Sequence, residues 1–229
     1  MRHRLRPKNR EQPSRCSPPP RRSTSTPFPP RSKNRRWFSS RPRSSPTFAL
    51  GLWATHNRDI VSRLGLEKWK VRDGLRWGLL TGLLLGCLNT FVILSAYPHL
   101  GYDISFLKTT PHGRLPLLVM VPWFICGIAL FVELNFRGFL LGRLAALESR
   151  LWRSGLAQRL SPLALITCAL IFAFDPFMVN TFQHLHWIAL WDGLIWGVIW
   201  LRTRNLYITI VAHAVEVIVM YSAVRTAIG

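Results

Sequence analysis

WGLLTGLLLGCLNTFVILSAY, Trp77–Tyr97, decides the fold. No charge interrupts it. At ~1.5 Å per residue such a helix is about 30 Å long, the thickness of a bilayer's hydrocarbon core. Hydrocarbon offers no partner to a backbone N–H or C=O, so the run must satisfy these groups within itself, as a helix. Gly78, Gly82 and Gly86 recur every four residues and give that helix a face on which a second helix can pack closely.

Four more apolar runs follow. Leu115–Leu151 is apolar in its first half and alternates Arg with Leu in its second. Pro162–Val179 opens with Ser161 as the expected N-cap and Pro162 in the first turn. Ile188–Leu201 is short for a span, and Leu206–Val224 closes the chain. The expected fold is all-α: a polytopic transmembrane helix bundle over 77–229 with five spans.

Upstream the composition changes. Residues 48–76 read as an interfacial, juxtamembrane segment in which Leu64-Gly65-Leu66 and Trp69 suit a membrane surface. Residues 1–47 hold fourteen of the thirty Lys and Arg but one acid, Glu11, and are dense in Pro and Ser. Such a segment cannot bury enough apolar surface to fold, so a disordered basic tail is expected. It has no apolar core of a secretory signal. A start assigned too far upstream would give the same composition.

The formal charge of +20 sits mainly in this tail and in short loops beside apolar runs. That pattern fits a membrane protein and not a nucleic-acid reader. Lys68–Arg76, Arg143–Arg159 and Arg202–Arg204 are basic, whereas Pro176–Trp187 carries no Lys or Arg. The N-terminus is therefore expected in the cytoplasm, with five spans placing the C-terminus outside. Cys16, Cys87, Cys126 and Cys168 form no CxxC pair, so neither a disulfide framework nor a zinc knuckle is expected.

Charge inside a membrane is costly, about 2.5–3.5 kcal/mol at a helix centre on insertion scales. Glu133, Asp175, Asp192 and Glu216 nevertheless lie in or beside the apolar runs, with Arg137 and His213. Glu133 and Arg137, four apart, share a helix face in the favoured order. A plain ion pair would account for Arg137, and a plain hydrogen bond for His213. A carboxylate and an imidazole that hold one water can also make it a nucleophile. His213 and Glu216, three apart, share a face too. Counted from the basic side at ~1.5 Å per residue, Glu133 lies about 20 Å deep, Asp175 about 21 Å and His213 about 12 Å, so the three could meet, whereas a second span that ends near Arg137 would leave Glu133 shallow and Asp175 deep. His184 and His186 with Asp175 raise a metal site, though the spacing suits a wet loop equally.

Glu133-Leu-Asn-Phe-Arg137-Gly-Phe-Leu-Leu-Gly-Arg-Leu144 resembles the first motif of the CAAX-protease and bacteriocin-processing family of intramembrane proteases, a Glu pair followed by Arg and often Gly-Phe-Leu. Gly193–Leu206, with its Arg202-Thr203 turn, and Ala212-His213-Ala214 resemble the family's closing segment. Leu170–Asp175 sits where its Phe-x-x-x-His motif belongs. The sequence departs from the family at three places. Val132 replaces the first Glu of the pair, Asp175 or Pro176 replaces the His, and Val217, beside Glu216, replaces the final Asn or Asp.

The resemblance implies a membrane-embedded endopeptidase whose Glu and His activate water against a peptide carbonyl. Glu133 would be the base, with His213, Asp175 and Glu216 as partners and Arg137 orienting Glu133. It implies membrane lipids and a peptide or protein substrate as partners, no nucleic acid, and a multi-pass location in a bacterial inner membrane. It leaves a divalent metal such as zinc open as a cofactor, with no complete ligand set in the sequence. The alternatives are a catalytically inactive relative acting as a membrane binding or scaffold protein, and a small transporter using the same acids.

Overall fold

The computed structural model describes residues 46–110, 116–152 and 160–228. The expectations for the tail, for Cys16 and for the basic connection beyond Trp152 fall outside these residues, except that Pro46 and Thr47 already belong to the first helix. All regular structure among the described residues is helical. Helix α1 is Pro46–Thr55, α2 Ile60–Leu64 and α3 Val71–Phe91, which runs on through a π-helical turn, Val92–Ala96, to Tyr97–His99. The long helix α4 covers Leu118–Leu151. Then come α5 Pro162–Ala173, α6 Pro176–Phe182, α7 Ile188–Thr203 and α8 Leu206–Ile228.

Three helical stretches are long and apolar enough to cross a membrane: Ile60–His99, Leu118–Leu151 and Leu206–Ala227. A fourth span exists if α5 and the segment Pro176–Leu185, bent by 52° at Phe174-Asp175, are counted together. The chain is thus an integral membrane protein. Helix α7, with 16 residues, falls below span length, so five full spans are not seen among the described residues.

Helices α3 and α8 form the tightest pair. A Cβ on Gly74 would meet Tyr207 Cβ at 2.3 Å, on Gly78 Val211 Cβ at 2.6 Å, and on Gly82 the Ala212 carbonyl oxygen at 2.5 Å. The expected glycine face is this seam, with Gly86 against Val219 at its far end. Helices α5 and α7 pair behind it around Ala169 and Leu165, which approach Gly193 and Gly197. The main core gathers Phe136, Leu141, Leu165, Cys168, Phe172, Trp200 and Leu206. Leu64 belongs to this core as well, 4% exposed and against Gly138. Gly65 closes α2 at φ 75°, a conformation that costs a residue without Cβ little. It lies against the turn between α7 and α8, where a Cβ would sit 2.2 Å from the Arg204 carbonyl oxygen.

Helix α4 is wound unevenly. Its ladder widens to π-helix over Trp123–Leu130, directly after Pro122, and again over Leu134–Leu141. Proline has no N–H to give the ladder, and a π turn takes up about one more residue than an α turn. Glu133 lies between the two wide segments, in Phe131–Glu133. Expectation and structure differ at the start of α5. Ser161 is left-handed, φ 42°, and makes no cap bond with its side chain. The cap comes from Glu148 on α4, whose carboxylate accepts from Ala164 N at 2.7 Å and Leu163 N at 3.4 Å.

Candidate functional site

Glu133 and His213 meet. His213 Nδ1 lies 2.9 Å from Glu133 Oε1, a contact between α4 and α8 across 80 positions of sequence. Glu133 is 0% exposed and His213 6%. Arg137, 1% exposed, brings Nη1 to 3.4 Å from the same Oε1. Its guanidinium lies over the Phe172 ring at 4.4 Å and the Trp196 ring at 5.3 Å. Trp196 in turn stacks on the His213 imidazole, 4.7 Å between centroids and 29° between planes. Two aromatic rings therefore hold both the cation and the imidazole, and they cover the charges from bulk solvent. The ion pair neutralises Glu133 and Arg137, but it leaves one carboxylate oxygen over. Glu133 Oε2 is buried without a hydrogen-bond partner among the described residues. Thr209, one turn before His213, interacts with the Glu133 carboxyl from α8.

Asp175 is elsewhere. Helix α5 ends at Ala173, so Asp175 lies past its end and caps α6, accepting from Phe177 N at 2.8 Å. Among the described contacts none joins Asp175 to Glu133, Arg137 or His213, and its expected meeting with them is corrected. The residue of α5 that faces the pair is Phe172, edge-on to His213 at 6.5 Å.

Glu216 lies one turn beyond His213, in a second buried group. Asn89 Nδ2 donates to Glu216 Oε1 at 2.6 Å and to Asp192 Oδ2 at 3.2 Å, and Trp191 Nε1 donates to Asn89 Oδ1 at 3.0 Å. Asn89 is 0% exposed and thus ties α3, α7 and α8 together through one amide. Asn89, Trp196 and Phe172 escaped the sequence reading. Asn89 was legible in principle as the lone amide in the run Trp77–Tyr97. The two rings look like ordinary core residues.

A metal does not fit these residues. Among the described residues no three His, Cys, Asp or Glu side chains are grouped to hold an ion. Glu133 and His213, bonded to each other, supply two donors where a catalytic zinc takes three from the protein. His184 stacks on Tyr97 at 5.3 Å, His186 is hydrogen-bonded to the Gln183 carbonyl, and neither joins Asp175.

Fold and site together define an all-α membrane protein with a buried Glu–His–Arg cluster between spans. Residues 114–219 match the family described as type II CAAX prenyl endopeptidase, Rce1-like. The match agrees with the resemblance that the motifs of this stretch carry, to a family of membrane endopeptidases. It covers α4 to the middle of α8 and contains Glu133, Arg137 and His213. Neither a curated protein nor a solved structure matches the chain.

Proposed function

We propose that the chain is a membrane-embedded endopeptidase of the CAAX-processing type in which Glu133 and His213 activate a water. The observation that carries this reading is the buried carboxylate with one oxygen engaged by His213 and Arg137 and the other unpartnered. A water seated on Oε2 gives its proton to Glu133 as its oxygen adds to the scissile carbonyl carbon. That proton passes on to the leaving nitrogen as the C–N bond breaks, so hydroxyl and hydrogen of one water end on the two products. With Glu133 ionised, His213 Nδ1 donates to Oε1 and the ring is held for transfer through its other nitrogen. Arg137 is a positioning residue that fixes the carboxylate. No metal takes part.

The substrate class is a membrane-anchored peptide, of which a prenylated C-terminal peptide is the form that the family name suggests. The basic ends of the spans support a cytoplasmic N-terminus, and the location proposed is a bacterial inner membrane. One observation favours a second reading, a non-cutting relative that binds a membrane peptide. Asp175, in the place of the motif histidine, caps α6 away from the pair, and Val217 stands where the family has a donor, so an oxyanion would find less support than there. The assay is cleavage of a prenylated, fluorogenic C-terminal peptide by purified protein in lipid nanodiscs. Glu133→Gln and His213→Ala should each lower kcat by on the order of a hundredfold or more while the protein still inserts. Equal turnover in the two variants and the parent would overturn Glu133 as base. No turnover in any of the three, with retained peptide binding, would establish the second reading.

A further inference from the structure

At the basic end of the bundle α3 begins, α8 begins and the α7–α8 turn closes between them. A cavity of about 180 Å³ opens there, lined by Trp69, Lys70, Asp73, Trp77, Thr203 and Asn205, with Ile208 at its floor. We propose that this is a binding site for an anionic phospholipid headgroup with free hydroxyls, of the phosphatidylglycerol kind.

Three observations carry the proposal. The first is charge. Lys70 and Asp73 line the cavity, and Lys68, Arg72, Arg76, Arg202 and Arg204 stand within a few positions of its lining residues in the chain, with Glu67 the one further acid there. Lys70 is satisfied internally, by Glu67 at 3.0 Å and the Arg204 carbonyl at 2.6 Å. Lys68, Arg72, Arg76 and Arg202 are exposed and make no ion pair among the described residues. Arg72 and Arg76 are four apart on one helix, an arrangement that repels unless an anion joins them.

The second is position. Trp69 is 74% exposed and Trp77 48%, and Arg76 lies over the Trp77 ring at 5.6 Å. Amphipathic rings of this kind settle at headgroup depth. On the same side of α3 as the arginines, Leu75, Leu79 and Leu83 are each about half exposed and run down the span. A lipid with its phosphate between Arg72 and Arg76 lays its acyl chain along them.

The third is the cavity's own chemistry. Asn205 and Thr203 spend their side chains on the fold: Asn205 donates to the Lys70 carbonyl, and Thr203 donates to the Ile199 carbonyl. Asp73 is exposed and has no hydrogen bond or ion pair among the described residues. A carboxylate accepts and cannot donate, so it selects a headgroup bearing hydroxyls over one that presents only phosphate.

The test uses the full chain in a neutral detergent, with lipid retention read by native mass spectrometry and binding by the shift in thermal unfolding temperature. The probes are phosphatidylglycerol, phosphatidylcholine, phosphatidylethanolamine and inorganic phosphate. Phosphatidylglycerol should bind saturably and raise the unfolding temperature, and added salt should weaken it. Each cation near the surface contributes on the order of fivefold. The variant Arg72→Gln/Arg76→Gln/Arg202→Gln should therefore bind roughly a hundredfold more weakly, and Lys108→Gln, at the other end of the bundle, should bind as the parent does. Equal binding of phosphatidylcholine or phosphatidylethanolamine, the same effect from inorganic phosphate, or undiminished binding by the triple variant would overturn the proposal. If the triple variant does not fold, the salt series on the parent decides: binding indifferent to salt overturns it.

Discussion

Arg137→Met strips the buried Glu133 carboxylate of its counter-charge. At 0% exposure the carboxylate has no bulk solvent to turn to, and breaking a buried pair costs about 3–5 kcal/mol. Glu133→Gln leaves the guanidinium unpaired between Phe172 and Trp196, at a similar cost. Were the effects independent, the double variant would lose about 6–10 kcal/mol, the sum of two such costs. It should lose far less, because no charge is left buried, so the coupling should be on the order of 3 kcal/mol. For a protein of this length, at about 2–4 °C per kcal/mol, each single variant should unfold some 6–20 °C lower than the parent. Thermal unfolding in detergent, followed by circular dichroism, measures all four corners of the cycle. An additive double variant, or an Arg137→Met shift under about 2 °C, would show that the pair is solvated and would remove the water-excluded site from the mechanism.

Asp175→Ala should cost about 1 kcal/mol, the worth of a helix cap, and leave peptide cleavage unchanged; a loss of turnover comparable with that of His213→Ala would return Asp175 to the active site. Gly82→Val should destabilise by about 1–3 kcal/mol or more, since its Cβ meets the Ala212 carbonyl oxygen at 2.5 Å; unchanged thermal unfolding would refute the seam. Glu148→Ala removes the anionic cap of α5 and should cost about 1–2 kcal/mol, read the same way. The exposed Asp103 carboxyl is held below the usual carboxylate range by hydrogen bonds from the Ser105 hydroxyl and backbone N–H. Its contribution is therefore fully present above the ordinary carboxylate value and lost as pH falls through the lowered one. The Ser105 amide resonance should shift with that midpoint in the parent and stay put in Asp103→Asn.

The helices were legible because length and apolarity decide them. Trp77–Tyr97 had to be a helix, and its glycines had to meet another backbone. Glu133, Arg137 and His213 were legible because ionised groups in an apolar run need partners, and the number of candidates was small. Asp175 misled because two residues beyond a helix end turn a core position into a cap, and helix ends are poorly marked in sequence. Ser161 misled because its backbone is left-handed and its side chain makes no cap bond, so that Glu148 caps the helix start from another element. Asn89 stayed hidden because its importance lies in what three separate helices bring to it. Val132 and Glu133 differ by one residue, and the π-helical winding of α4 around them is a tertiary adjustment that local propensity does not encode.

That winding and the glycine seam divide the molecule mechanically. Backbones touching along α3 and α8 cannot part by degrees, because prising them open exposes four turns of contact at once. The wall bearing His213 is therefore rigid. On the proposed reading, a ligand reaching Glu133 meets on the other side α4, whose backbone ladder is π-wound both before and after that residue.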